Sequence, residues 1–466
     1  MTVTSSRRAL LGGLAVGSVA LTASRPATGS AVISTSLDPN RSPGSPNILL
    51  FVVDDLGWGE VGAYGQRTLR TPVLDGLAAD GVRFTEAYAT PTCAPTRASL
   101  LTGLHTGHSR VKSNRDAGRG LAARDITVAE VLRDAGYTTG LVGKWGLGPD
   151  HGNNPSHPNR QGFDYFFGYL GQQQAHDYWP THLWRNGERV GYSENVGADT
   201  TYAADLFTAE ALAFLDRLTP GERFFLDVSL TTPHAPNEIP SDAPYSNRPW
   251  PKGERNHAAQ VTATDAQIGT ILAGLAARGL SEDTVVLVVS DNGPHREGAA
   301  YDGVGSRLPH DAEFFDSNGR LRGIKRDLYE GGIRVPMIAR VPASLRATGS
   351  VAAPGTVVDT PVAVWDLPAT FAELAGTSAP TAKDSVSLVP SLRGRRQPGH
   401  DHLYWQFRED GFDEAVRFGQ WKAVRHHRRR TELYQLHRDP GETTDVARRF
   451  PSVVRRAERL MARSVA

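Results

Sequence analysis

The stretch Cys93-Ala-Pro-Thr-Arg-Ala-Ser-Leu-Leu-Thr-Gly103 is the most informative segment of this chain of 466 residues. It contains the only cysteine, so no disulfide can form within the chain. Pro95 suits the first turn of a helix, because its missing N–H would be unpaired there. We therefore expect a helix that begins at Cys93 and carries Arg97 one turn later, with N–H groups and a dipole that favour an anion. A buried core cysteine is the alternative, since free cysteines are usually buried.

Apolar, β-rich runs alternate with helical patterns along most of the chain. Continuous apolar strands that alternate with helices indicate an α/β fold whose sheet is covered on both faces. The predicted strands are residues 47–53, 138–142, 223–230, 284–290 and 335–341, and the predicted helices are residues 71–80, 127–135, 200–218 and 258–278.

The pattern changes near residues 377–396, where Pro, Ser and Arg predominate. Short aromatic strands are predicted at residues 402–407, 416–424 and 432–436, followed by a basic helix from Phe450. These elements predict a small antiparallel sheet with a helix packed on it. We therefore expect a catalytic domain over residues 47–376 and a C-terminal subdomain over residues 377–466.

The N-terminal residues have the pattern of a targeting segment. Arg7 and Arg8 precede a mildly apolar, Gly-rich run and small residues that end at Ala31, so residues 1–31 are predicted to be a signal peptide. The paired arginines favour the twin-arginine pathway and thus secreted or periplasmic location in a bacterium; an ordinary secretion signal is the alternative. The apolar run is too short to be a stable membrane anchor. Residues 32–46 are predicted to be a linker.

The composition and net charge are those of an ordinary soluble protein and do not point to a particular class of partner. The chain is 39% hydrophobic and 22% charged, as soluble globular proteins are, and its length exceeds one ordinary domain. Its formal net charge of +1 gives no reason to expect a nucleic acid partner.

Polar side chains follow four of the predicted strands at the point where each strand ends. Ligand sites of open α/β sheets lie beyond the carboxyl ends of the strands, so we expect these side chains to converge. Each alone would be an ordinary turn residue, but four such groups beside an anion site argue against coincidence. The residues concerned are Asp54, Asp55, Lys144, His234, Asp291 and Asn292.

Four of these residues offer only oxygen ligands, namely Asp54, Asp55, Asp291 and Asn292. No His or Cys with zinc spacing accompanies them in the sequence. Three carboxylates brought together would be costly without a cation to neutralise them. A cage built mostly of protein oxygens favours Ca2+ over Mg2+. The sequence therefore predicts a calcium site at this edge of the sheet.

The pattern Cys-x-Pro-x-Arg-x-x-Leu-x-Thr-Gly at residues 93–103 resembles the signature of the type I sulfatases. In that family the cysteine is oxidised after translation to formylglycine (3-oxoalanine). The resemblance runs from about Pro46 to the C-terminal region and implies an alkaline-phosphatase-like fold, a large mixed central sheet between helix layers. It also implies that a formylglycine-generating enzyme modifies Cys93 before export. An oxygen of the modified Cys93 would then complete the ligand set of the calcium ion.

The resemblance further implies roles for the positive groups. Lys144 and Lys325 match lysines that hold sulfate oxygens, and Arg97 matches the residue that positions the aldehyde hydrate. One hydroxyl of that hydrate would attack sulfur, and the other would lose its proton and expel sulfate. The three cations would stabilise the charge that develops on the sulfate oxygens. His234 matches a residue that contacts the ester, and it is our candidate acid for the departing alcohol.

Gly146 departs from the family pattern, which usually has a histidine at this position. In relatives that histidine helps to break down the sulfated intermediate. His176 and His295 are candidate replacements, and each could instead be a substrate contact or an ordinary loop histidine.

The sequence therefore predicts a secreted, calcium-dependent sulfatase that acts on an aryl or carbohydrate sulfate, either a small molecule or a glycan. A phosphonate monoester or phosphodiester hydrolase on the same scaffold is one alternative. A non-catalytic binder of sulfated glycans is another, and only Gly146 favours it.

Overall fold

The computed structural model describes residues 45–297, 308–342, 345, 350–409 and 411–465. The predicted signal peptide, residues 1–31, lies outside these ranges, as does almost all of the predicted linker. Among the helices of the described ranges, none is both long enough and apolar enough to cross a membrane.

A mixed sheet of 11 strands forms the centre of the described chain. Its strands are β1 (Asn47–Asp54), β2 (Val82–Tyr88), β3 (Tyr137–Lys144), β4 (Tyr165–Tyr169), β5 (His182–Arg185), β6 (Glu188–Gly191), β7 (Arg223–Pro233), β8 (Thr284–Ser290), β9 (Arg334–Arg340), β10 (Thr356–Val358) and β11 (Val362–Ala363). They lie in the order β10-β2-β9-β8-β1-β7-β3-β4-β5-β6, and β11 also pairs with β2. Strands β8, β1, β7, β3 and β4 run parallel, so their carboxyl ends meet at one edge.

Helices cover both faces of this sheet, as the sequence predicts. Ile48 and Leu50 of β1 belong to one core, and Leu49 and Phe51 belong to the other. Because successive strand side chains point to opposite faces, a continuous apolar strand is stable only when both faces are covered. The helices are α1 (Pro72–Asp80), α2 (Cys93–Thr102), α3 (Val128–Asp134), α4 (Ala203–Asp216), α5 (Lys252–Ala277), α6 (Glu330–Ile333), α7 (Leu367–Leu374), α8 (Val389–Leu392) and α9 (Pro451–Arg463). Helices α2, α3 and α7 contribute to the first core, and α1, α4 and α5 to the second.

A second, antiparallel sheet follows near the C-terminus. Its strands, in spatial order, are β12 (Leu403–Phe407), β13 (Asp413–Phe418), β14 (Trp421–Arg425) and β15 (Glu432–Gln435). Ala457 and Met461 of α9 pack on one face of it, so the predicted sheet with a covering helix is confirmed. The single strand predicted for residues 416–424 is wrong. Gly419, with φ of 53°, lies in a two-residue turn that separates β13 from β14.

Candidate active site

The parallel strands end at the edge where the predicted polar residues meet. Asp54 is the last residue of β1, Lys144 is the last residue of β3, and Asp291 follows β8 directly. His234 follows β7, which continues three residues beyond its predicted end. Asp55 adopts a positive φ of 65°, which is uncommon for a residue other than glycine. The strand ends therefore bring together side chains that are distant in sequence.

Cys93 is the first residue of α2, as the sequence predicts. Its Sγ donates a hydrogen bond of 3.2 Å to Asp54 Oδ1. Burial, with the nearby carboxylates of Asp291 and Asp54, raises the pKa of the Cys93 thiol well above its ordinary value. Because the thiolate is the nucleophilic form of cysteine, the unmodified side chain is a poor nucleophile here.

Arg97 lies one turn after Cys93 on α2 and faces the same carboxylates. Its Nη2 donates to Asp291 Oδ2 at 3.0 Å and to Asp54 Oδ2 at 3.4 Å. Its Nη1 donates to the backbone oxygen of Lys144 at 2.7 Å. The guanidinium group thus connects the helix with the ends of three strands.

Two buried lysines form ion pairs with the two carboxylates that follow β1. Lys144 Nζ lies 2.6 Å from Asp54 Oδ2, and Lys325 Nζ lies 2.9 Å from Asp55 Oδ2. Burial opposes the charge on Asp54, but Lys144 above all holds its pKa well below the usual value. His234 and Lys325 lower the pKa of Asp55 in the same way, again against burial. All four groups of these two pairs are therefore charged at neutral pH.

His234 is buried beside Lys325. Its Nε2 lies 2.8 Å from Lys325 Nζ and 3.5 Å from Asp55 Oδ2. Its Nδ1 lies 2.5 Å from the backbone oxygen of Ala235, which can only accept a hydrogen bond. Nδ1 therefore carries the proton in the neutral ring, and Nε2 is the atom that can gain or lose one.

The four oxygen-bearing residues lie close together and fit a hard divalent cation. Asp291 Oδ1 accepts a 3.2 Å hydrogen bond from the N–H of Asp55, and Asn292 Nδ2 donates to Asp55 Oδ1 at 2.6 Å. Asn292 Oδ1 is buried and has no partner among the described residues. Burial, with the charges of Asp54 and Asp55, raises the pKa of Asp291 to about 7. A cation would relieve this repulsion and use the unpaired amide oxygen. One group of residues at this site, Asp54, Asp55, Cys93 and His234, offers one possible metal-ligand atom each, and these atoms all lie within 4.8 Å of one another.

His176 reaches the site from the loop after β4. Its ring packs edge-on against that of His234, with centroids 4.7 Å apart. Its Nδ1 donates to the backbone oxygens of Gln172 at 3.0 Å and Gln173 at 3.2 Å, so Nε2 carries the lone pair. Burial, with the charges of His234 and Lys144, lowers the pKa of His176 to about 3. The ring is therefore neutral at physiological pH, and its Nε2 is in the form that accepts a proton, although the low pKa makes it a weak base.

His295 is also brought next to the site, but it is fully buried. Its Nδ1 accepts a 3.0 Å hydrogen bond from the N–H of Glu297, and its Nε2 lies 3.1 Å from the backbone oxygen of Pro233. Both ring nitrogens are thus engaged with the backbone. The predicted substrate contact by His295 gains no support from this geometry, since the ring offers no free nitrogen.

Gln172 occupies the space beside Gly146, and no motif or strand end in the sequence points to it. Gly146 has a positive φ of 69°, and a Cβ there would lie only 2.6 Å from Gln172 Nε2. The same Nε2 donates a 3.0 Å hydrogen bond to the backbone oxygen of Gly146. The loop that carries His176 therefore fills the space that a side chain at 146 would need.

Glu297 is a second residue that the sequence analysis missed. Its Oε2 lies 3.4 Å from Lys325 Nζ and 3.7 Å from His234 Nε2, and its Oε1 pairs with Arg326. The charge of Lys325 keeps the pKa of Glu297 lowered in spite of burial. Glu297 thus gives Lys325 a second carboxylate partner besides Asp55. Only its position shortly after Asp291 could have pointed to it.

Family models, curated relatives and solved structures that are similar to this chain were compared with it. The family model described as Sulfatase matches residues 46–377, and the one described as N-sulphoglucosamine sulphohydrolase, C-terminal, matches residues 323–461. The chain is 32% identical over 408 residues to N-acetylgalactosamine-6-sulfatase of Canis lupus familiaris. The alignment covers 82% of this chain and 72% of that protein. The chain is also 32% identical over 420 residues to arylsulfatase G of Homo sapiens. That alignment covers 82% of this chain and 74% of the human protein. The crystal structure of Ps i-CgsB in complex with k-i-k-neocarrahexaose matches with a TM-score of 0.76 and 28% identity, over 90% of this chain and 92% of that chain.

Proposed function

Because the chain belongs to the sulfatase family and is a sulfuric ester hydrolase of the alkaline phosphatase superfamily, we propose that formylglycine made from Cys93 is its nucleophile. One observation carries this proposal: Cys93 begins α2 within a buried nest of three cations, Arg97, Lys144 and Lys325. An unmodified thiol at this position would stay neutral, because its pKa is raised, and a neutral thiol is a poor nucleophile. Formylglycine would supply, as its hydrate, one hydroxyl for attack on sulfur and a second whose ionisation releases sulfate.

The three cations would bind the sulfate group of the substrate. An ammonium group has three N–H donors, and Asp54 is the one acceptor of Lys144 Nζ within the described residues. Lys144 can therefore donate to a sulfate oxygen without losing its ion pair. Arg97 and Lys325 add positive charge that is already oriented by hydrogen bonds. Such prearranged charge stabilises a transition state without reorganisation during the reaction.

His234 would protonate the alcohol that leaves sulfur. Its Nε2 is the ring atom that can exchange a proton, and it lies between Lys325 and Asp55. The carboxylate of Asp55 would stabilise the protonated ring, and the ammonium of Lys325 would help the proton to leave. Proton transfer by a positioned side chain of this kind contributes about 10²- to 10⁴-fold to a rate.

Asp54, Asp55, Asp291 and Asn292 would hold a divalent cation, for which we propose Ca2+. The ion would supply positive charge beside the nucleophile and the sulfate group. The chain's own oxygens would keep it in place, since Asn292 Nδ2 donates to Asp55 Oδ1 and the buried Oδ1 of Asn292 has no partner within the described residues.

His176 is our choice for the base that takes the proton when sulfate is released. Replacing it by glutamine is expected to lower kcat by about 10²-fold and to change KM little, because a neutral ring with a free Nε2 can accept a proton and an amide cannot. Steady-state kinetics with an aryl sulfate measures both constants. His151→Gln, at an exposed histidine in the loop after β3, is the matched control. A kcat for His176→Gln within twofold of the wild type would rule out this role.

The substrate class we propose is a sulfated carbohydrate, with aryl sulfates as accepted analogues. A relative named N-acetylgalactosamine-6-sulfatase and a similar structure in complex with an oligosaccharide support this choice. The test compares kcat/KM for an aryl sulfate, a sulfated oligosaccharide, an aryl phosphodiester and a phosphonate monoester. Sulfate esters are expected to be the better substrates. Faster turnover of the phosphorus esters, or retention of sulfated polymer without turnover of any ester, would contradict the proposal.

The proposal includes modification of Cys93 by a formylglycine-generating enzyme before the chain is exported. The twin-arginine pathway carries folded proteins, so a buried residue such as Cys93 has to be converted earlier. Residues 1–31 would be removed on export.

A further inference from the structure

Asp227 is a buried carboxylate in the middle of the large sheet. It lies on β7, where its register partners are Leu50 of β1 and Leu141 of β3. Its one side-chain hydrogen bond within the described residues comes from Ser229 Oγ, at 2.8 Å from Oδ1. Burial raises the pKa of Asp227 to about 6. A carboxylate placed among aliphatic neighbours is costly unless a further partner stabilises it.

A small cavity separates this carboxylate from α2. Its volume of about 10 Å³ is close to that needed for a single water molecule. The walls are partly apolar, but they include three charged side chains and one hydroxyl group. The lining residues are Val52, Arg97, Leu100, Leu101, Leu141, Lys144, Trp145, Asp227 and Ser229.

One N–H group of Arg97, that of Nε, makes no hydrogen bond within the described residues. Its Nη1 and Nη2 donate toward Lys144, Asp54 and Asp291, as described above. Its Nε is buried and has no hydrogen-bond partner within the described residues. A buried N–H of a charged group that is left without an acceptor costs a few kcal/mol, about 1–3 or more. Arg97, with this unpaired donor, and Asp227, whose carboxylate accepts a single side-chain hydrogen bond within the described residues, line the same cavity.

We propose that a buried water molecule in this cavity accepts a hydrogen bond from Arg97 Nε and donates one to Asp227, which makes Asp227 a positioning residue for Arg97. The inference rests on the proposed function, because that function gives Arg97 its task at the sulfate group.

The arrangement would fix the plane of the guanidinium group. Its Nη2 faces two carboxylates that we assign to the metal, and its Nη1 faces the backbone oxygen of Lys144. A sulfate group entering the site would compete for the same N–H groups. A third anchor behind the group keeps Nη1 and Nη2 directed at the site while those contacts change. Asp227 would act through Arg97, whose Nε has no other acceptor within the described residues.

Kinetics of three variants tests the role. Asp227→Leu removes the acceptor and is expected to lower kcat about tenfold, a loss in the range found for one charge-assisted hydrogen bond. KM is expected to stay within about twofold. Asp227→Asn keeps an acceptor oxygen for the water, so we expect a smaller loss of about threefold. Ser99→Ala, on the same helix as Arg97 and without a side-chain hydrogen bond within the described residues, is the matched control and is expected to stay within about twofold.

Thermal unfolding of the same variants separates positioning from a purely structural role. Replacing a buried charge by leucine is expected to leave the unfolding temperature equal or higher, while kcat falls. A kcat for Asp227→Leu within twofold of the wild type, or equal losses for the Leu and Asn variants, would overturn the inference. If Asp227→Leu fails to fold, the Asn variant is compared with Ser99→Ala on the same readouts, and equal kcat values for these two would overturn the inference.

A high-resolution crystal structure gives a readout that does not depend on activity. We expect density for one water within hydrogen-bond distance of Arg97 Nε and Asp227 in the wild type, and a reoriented Arg97 in Asp227→Leu. A dry cavity, or an unchanged Arg97, would contradict the inference even if the enzyme is an active sulfatase. Conversely, absence of sulfatase activity with the water in place would contradict the proposed function and keep the link between Asp227 and Arg97.

Discussion

Replacing Cys93 by alanine is expected to lower kcat for every sulfate ester by at least about 10⁴-fold, the order of loss when a covalent nucleophile is removed. The physical reason is that Sγ of Cys93 lies beside Asp54 at the start of α2, so formylglycine at this position would adjoin the proposed metal site. Thermal unfolding should change little, since alanine removes a single buried atom. The measurement is kcat with an aryl sulfate, on protein whose unfolding temperature has been checked.

Ser99→Ala is the matched control for this change. Ser99 lies on the same helix and is equally buried, and its hydroxyl has no hydrogen-bond partner within the described residues. Its replacement should therefore leave kcat within about twofold of the wild type. If both variants lost activity to the same extent, the loss would report damage to α2 and not the removal of a nucleophile.

The chemical state of residue 93 can be measured directly because it is the only cysteine. Thiol titration of the denatured wild type counts unmodified Cys93 and nothing else. We expect specific activity to fall in proportion to the thiol found, and mass spectrometry of the tryptic peptide 84–97 to show formylglycine in active protein. N-terminal analysis of the same sample reports whether residues 1–31 have been removed. Full activity in protein with one thiol per chain would refute the formylglycine proposal.

Much of the fold was predictable because the central strands are buried on both faces. Such strands are continuous apolar runs, and the predicted strand at residues 284–290 agrees with β8 residue for residue. Strand β2 (Val82–Tyr88) was missed because its half-exposed positions hold Arg, Thr and Glu, which interrupt the apolar run. Strands β5 and β6, at the end of the sheet beyond β4, were missed because each has only four residues and a polar sequence. Helix α5 begins six residues earlier than predicted, since its first turns are polar.

The candidate site was predictable only where residues follow strand ends or stand in a motif. Asp54, Lys144 and Asp291 were found because parallel strands deliver their carboxyl ends to one edge. Gln172 and Asp227 have no such signal. The first is defined by the space beside Gly146, and the second by a cavity beside Arg97, and both depend on how distant segments pack. Sequence patterns identify groups that a strand end presents and miss groups that matter through packing.

Removing divalent cations is expected to abolish sulfatase activity and to lower the unfolding temperature by several degrees. A ligand bound only to the folded state, at about 1,000 times its dissociation constant, contributes about 4 kcal/mol to stability. Here the effect has an electrostatic cause as well, because Asp54, Asp55 and Asp291 are all buried, and the charges of Asp54 and Asp55 help to raise the pKa of Asp291 to about 7. Metal analysis, thermal unfolding and kcat are measured before and after treatment with a chelator.

Asn292→Ala is the variant that makes this prediction specific. It removes the one unpaired buried amide oxygen of the cluster and leaves the three carboxylates, so lower chelator concentrations should strip the metal from it than from the wild type. Ca2+ should restore both unfolding temperature and activity to the wild type at lower concentration than Mg2+, because a site built mostly of protein oxygens suits the larger ion. Active protein that contains no divalent metal, or an unfolding temperature unaffected by the chelator, would show that the buried carboxylates are balanced by Arg97, Lys144 and Lys325 alone. The three cations would then have to neutralise Asp54, Asp55 and Asp291 and also bind sulfate, which their number does not allow without the protonation of a carboxylate.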